Sequence, residues 1–135
     1  MSLADELAEL DQADHDDQGE TQPANLYNSV HEFVTDFIAQ IYAHPVADRQ
    51  TSWRWCSHWH HHAEAVARLE AAWKAFEALR QDPGTGASVW FRDHGDPCMT
   101  ALTGSDGPFR LCSDTGHKAP TALPCQPLET GPTEW

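Results

Sequence analysis

Ser88-Val89-Trp90-Phe91-Arg92, Met99-Thr100-Ala101-Leu102-Thr103 and Phe109-Arg110-Leu111-Cys112 are the three runs on which the fold class turns. The first two are separated by Asp93-His94-Gly95-Asp96-Pro97, ordinary loop chemistry after a strand. The second and third are separated by Gly104-Ser105-Asp106-Gly107-Pro108, whose residues favour turns by φ freedom, fixed φ and local side-chain bonds. Short runs punctuated in this way predict a small antiparallel β-meander. From Ser113 onward the chain is rich in Pro and Gly, which predicts an irregular strap and then a loose tail.

Upstream of the meander the pattern changes to helical spacing. Val66, Leu69, Trp73 and Phe76, flanked by Ala65, Ala72 and Leu79, fall on one face, and Glu70 and Lys74 form an i,i+4 pair on the outside. Asp82-Pro83-Gly84-Thr85-Gly86 stops this helix, placed at 61–81. Leu26, Val30, Phe33, Val34, Phe37, Ile38 and Ile41 make a second apolar stripe, with Asn25 as N-cap and His44-Pro45 as terminator, which places a helix at 26–43. Between the helices lie Trp53, Trp55 and Trp59, too much apolar area to leave in water, so at least two of them are expected under the helices.

The whole is expected to be a single α+β domain over 25–127: two amphipathic helices packed on a small antiparallel β-meander. Residues 1–24 form a disordered acidic tail and 128–135 a loose C-terminal tail. The 135 residues carry a formal net charge of -13, with eight acids and no Lys or Arg in the first twenty positions. Such a balance argues against a nucleic-acid backbone or an anionic membrane as partner, since both need Lys and Arg. No apolar run reaches transmembrane length. The N-terminus lacks the features of a signal peptide, so a cytoplasmic location is expected. Thiols are kept reduced there, and four cysteines read as metal ligands or buried thiols before disulfides.

His94, Cys98, Cys112 and His117 form the sharpest constellation, a His-x3-Cys pair and a Cys-x4-His pair. Zinc takes four N/S ligands in a tetrahedron, often two from each of two short segments. In a meander the start of the second strand lies beside the third, so the pairs would meet. Cys125 is a fifth candidate, and the alternative is that the cysteines are small core hydrophobes. In His58-x-His60-His61-His62, adjacent helical positions point apart, while His58 and His62 can face one centre. That group otherwise reads as a polar helix start. Cys56 reads as a buried thiol. Asp93, His94 and Asp96 could instead hold a hydrolytic metal, although no phosphate loop, Gly-x-Ser-x-Gly or His-Glu-x-x-His is present.

Trp55-Cys56 with Trp59, Glu64 to Trp73, Asp82-Pro83-Gly84-Thr85-Gly86, Ser88-Val89-Trp90, Arg92 to Pro97, Gly107-Pro108-Phe109 and Cys112 resemble an actinobacterial domain-of-unknown-function family, the one numbered 4913. The resemblance spans about residues 25–127. It implies a fold unit in short proteins of chromosomes, plasmids and phages, and no activity. It also implies that a histidine can replace Cys98, as a zinc ligand tolerates, whereas His60 and His61 depart from the pattern.

The reading that follows is a zinc-stabilised protein-interaction module of unknown role, accessory to a mobile element, with Trp53, Trp55, Trp59 and Trp90 as its binding surface and another protein as its partner. The rivals are a metal-dependent hydrolase using Asp93, His94 and Asp96, and a metal-free adaptor whose acidic tail docks on a basic protein.

Overall fold

The computed structural model describes residues 24–44, 52–113 and 116–128. The expected acidic tail, up to residue 23, and residues 129–135 of the expected C-terminal tail lie outside the described residues. Three helices and one short 3-10 turn supply the regular structure of the described residues. No helix among the described residues is long and apolar enough to cross a membrane.

Helix α1 spans 30–41. It runs from Val30–Phe33 through a π-helical turn at Val34–Ile38 into Ala39–Ile41. It begins four residues later than expected because Ser29, not Asn25, is the N-cap. The Ser29 hydroxyl accepts from the Glu32 amide at 3.1 Å. The amides of Leu26 and Tyr27 donate to the Glu77 carboxylate at 2.8 and 3.0 Å, which holds the bent segment before Ser29 against the next helix. Helix α2 is Ala63–Leu79, with the extended residue His62 as N-cap. Beyond it Asp82 accepts from the amides of Gly84 and Thr85 and from the Thr85 hydroxyl, which holds the following loop.

The expected α+β fold with a β-meander is overturned in the next segment. Residues 86–103 form one helix, α3: Gly86–Trp90, a π-helical turn at Phe91–Gly95, and Asp96–Thr103. Gly95-Asp96-Pro97 reads as a turn because proline normally breaks a helix. Here the Asp96 amide bonds back to the Phe91 carbonyl, five residues away, and Pro97 follows at the start of the last segment, where its missing N–H is tolerated. The buried positions Trp90, Gly95, Cys98, Met99 and Leu102 lie on one face only if a five-residue step is allowed between the first two. That extra residue disguises the helical period as two short strands. Phe109 to Cys112 is likewise no strand. It is a series of tight turns, with Arg110 bonded to Gly107 and Cys112 to Phe109. The sole β-type pairing among the described residues is a lone bridge between Ser113 and Gly116.

The core is aromatic. Phe33 and Phe37 of α1, Phe76 of α2 and Trp90 of α3 meet with ring centroids 4.8–6.1 Å apart. The buried Trp90 indole donates to the Ala72 carbonyl at 2.8 Å, so its one polar atom is satisfied. Gly95 is required where α3 meets this ring. A Cβ there would come within 2.4 Å of the Trp90 ring and 2.6 Å of the Tyr42 hydroxyl.

Candidate metal centre

Cys56, His62, Cys112 and His117 come together at one end of the molecule. Their four ligand atoms all lie within 4.8 Å of one another. Cys56 Sγ is 3.1 Å from His117 Nδ1, and Cys112 Sγ is 3.5 Å from His62 Nε2 and 3.8 Å from His117 Nδ1. Zinc–sulfur bonds of about 2.3 Å and zinc–nitrogen bonds of about 2.0–2.1 Å imply tetrahedral edges of roughly 3.3–3.8 Å. The three contacts of 3.1–3.8 Å lie at or close to that range and the other pairs reach at most 4.8 Å, and two thiols with two imidazoles are a donor set zinc accepts.

Local structure explains the placement. The amide of Arg54 donates to the Thr103 carbonyl at 2.8 Å, which ties the Cys56 segment to the end of α3. A 3-10 turn at Trp59–His61, with Trp59 buried, carries the chain to His62. His62 is fully buried at the start of α2, where its carbonyl accepts the amide of Val66. The Phe109 ring packs edge-on against the His62 ring at 5.0 Å and fixes its plane. On the other side, two hydrogen bonds between Ser113 and Gly116 reverse the chain and return His117 to Cys112. The Lys118 amide points at Cys112 Sγ from 3.4 Å, and the His58 amide points at Cys56. Backbone N–H groups aimed at sulfur favour thiolate.

Without a cation the protein disfavours that charge. Burial pushes the Cys56 thiol up to about 11, against the His58 amide and with help from a hydrogen bond to Cys112. Burial, then the rings of His117 and His61, hold His62 below the usual imidazole value, which keeps it neutral and able to ligate. Its Nε2 faces Cys112 Sγ, while its other nitrogen, Nδ1, is buried without a partner.

The positions singled out in the sequence divide. Cys112 and His117 are half of this cluster. His94 and Cys98 lie on α3 beside Arg68, Asp93 and Pro97, around a shallow cavity of about 220 Å³. Burial pushes the Cys98 thiol up to about 11. Cys125 is exposed, away from the others. Cys56 and His62 complete the set. Their signal was the spacing Cys-x5-His, a near-copy of the Cys-x4-His pair downstream. Asp93, His94 and Asp96 do not converge. Asp93 is held by Arg92 at 2.8 and 3.0 Å, while Asp96 accepts from the Tyr42 hydroxyl at 2.8 Å and lines a different cavity with Trp53 and Met99. Of the four tryptophans, Trp59 and Trp90 are core residues; Trp53 and Trp55 are half-buried.

A family model described as "Domain of unknown function (DUF4913)" matches residues 27–132, which include all four residues of the cluster. No curated protein and no solved structure matches the chain.

Proposed function

The chain belongs to the DUF4913 family, and from that premise we propose that it is a small metal-stabilised module in which Cys56, His62, Cys112 and His117 hold one zinc ion. The observation that carries the reading is the convergence of four N/S donor atoms within 4.8 Å from two distant stretches of chain. Three of the four residues are buried, and His117 is half-buried. A centre with four protein ligands and little exposure is structural, since catalytic zinc keeps a position open for water or substrate. The ion would close the end of the molecule where the chain has no regular structure. It would convert the buried Cys56 and Cys112 thiols into thiolates whose charge is neutralised at once. The role of the module is to present a fixed surface to another protein, with the exposed side of the Trp53 and Trp55 segment as its first candidate.

The test is the metal content of untagged protein, with thermal unfolding before and after chelation. About one zinc per chain is expected. A ligand present at a thousand times its Kd stabilises by about 4 kcal/mol, or on the order of 15–30 °C in a domain of this size. Chelation and Cys112→Ala should each remove that increment, and Cys98→Ser should not. Metal-free protein that melts identically with and without chelator would sink the proposal. A loss of metal on Cys98→Ser equal to that on Cys112→Ala would move the site to α3.

A further inference from the structure

Three imidazoles outside the proposed centre are left without a role. His58, His60 and His61 are exposed and bracket the turn that leads to His62. Their ring centroids are 4.3 Å apart for His60 and His61, 5.7 Å for His58 and His61, and 6.4 Å for His58 and His60. Imidazoles that share one ion through a ring nitrogen have centroids on the order of 5 Å apart. The three separations, 4.3–6.4 Å, lie on both sides of that spacing, and the ring nitrogens do not converge on one point as they stand. Exposed rings turn about their side-chain bonds on the picosecond-to-nanosecond scale, so aiming them needs no movement of the fold.

Their position gives the triad a meaning. His58 and His61 lie against the ring of His117, at 5.3 and 5.6 Å. His117 is the one ligand of the buried cluster that is not fully enclosed. An ion arriving from solvent therefore meets His58 and His61 before it meets Cys56 and Cys112. We propose that His58, His60 and His61 form a second, open site for a divalent transition metal, one that keeps water on the ion and delivers it to the Cys/His centre through His117. The delivery half of this proposal rests on the zinc reading above, while the second site does not. Imidazole ligands suit zinc, copper and nickel, and a site with three of them and free positions exchanges its ion where a closed thiolate site retains it.

Cobalt(II) titration of the untagged, metal-free full chain separates the two. Two equivalents are expected per chain. The tighter one should show sulfur-to-cobalt charge transfer in the near ultraviolet, and the weaker one should lack it. The triple variant His58→Ala/His60→Ala/His61→Ala, altered only at exposed positions, should lose the weaker equivalent, keep the sulfur band, and fill the first site more slowly at substoichiometric metal. Two equivalents in the triple variant would overturn the second site. One equivalent, filled at the wild-type rate, would overturn delivery. Cys112→Ala guards the distinction: it should weaken the sulfur band, leaving at most the Cys56 contribution, and retain the histidine equivalent. A Cys112→Ala protein with both equivalents unchanged would refute the Cys/His centre and leave the histidine site standing.

Discussion

Trp90 and His62 are both buried rings, and they are treated oppositely. The Trp90 N–H finds the Ala72 carbonyl and the ring packs against four phenylalanines, so that part of the core is complete in itself. His62 has a nitrogen aimed at sulfur, a second nitrogen with no partner, and a neighbourhood of thiols and imidazoles in place of hydrocarbon. The helical body is held by apolar burial and backbone hydrogen bonds. The Cys/His end is a cluster of two thiols and two imidazoles within 4.8 Å of one another, a donor set that could hold a metal ion. Apolar area builds a core without help, whereas a buried polar group costs free energy until it finds a partner.

The contrast can be broken most severely at Trp90. Trp90→Ala should cost about 3–5 kcal/mol by cavity formation, read from denaturant unfolding, with the same loss in the presence of chelator. Chelation should act on the other end alone. Its increment of about 4 kcal/mol depends on free metal concentration, and the near-ultraviolet signal of Trp55 and Trp59 should change while far-ultraviolet helicity persists. Loss of helicity on chelation would mean that the two ends are one cooperative unit.

A smaller effect sits at Glu77. Burial works to raise its pKa, but bonds from the amides of Tyr27 and Leu26 and from the side chains of Arg80 and Trp73 outweigh it and hold the carboxyl below its ordinary value of 4.5. A depressed carboxyl contributes stability that is fully present above its unfolded pKa and is lost as pH falls through the folded one. Stability should therefore fall below about pH 4.5 more steeply in the parent than in Glu77→Gln. At neutral pH that variant should lose about 1–3 kcal/mol. Identical acid slopes would show that the carboxylate is not carrying the clamp. Smallest of all, Arg68→Ala should change stability by less than about 0.5 kcal/mol, because its ion pair with Glu64 is half-exposed on both sides.

The parts legible in the sequence were those with local causes. The stripes Phe33-Phe37 and Leu69-Phe76 repeat at helical spacing, and both helices are found where that spacing puts them, with ends shifted by Ser29 and His62. Family membership was legible from the Trp, Arg-Asp-His and Cys positions. Helix α3 was not, because a π-helical turn has no separate propensity signal and Pro97 supplies a false one. The centre was half legible. Cys112 and His117 are close in sequence and meet across a turn. Their partners lie fifty residues or more away, and with a helix in place of the meander, the long-range pairing that favoured His94 and Cys98 disappears. Cys56 was masked by its tryptophan neighbours, which mark it as buried without showing what faces it.

The π-helical turn of α3 has a consequence for how this chain can vary. Between Trp90 and Gly95 the helix holds one residue more than a regular turn would need, and the surplus positions Arg92 and Asp93 point to water. Excising one of them would restore a four-residue step and leave Trp90 and Leu102 on the same side. The regular turn would then drive the Pro97 ring into the carbonyl four residues before it. The longer turn therefore accommodates the proline: shortening it alone should destabilise the helix, while a shortened chain that also carries Pro97→Ala should form an ordinary one.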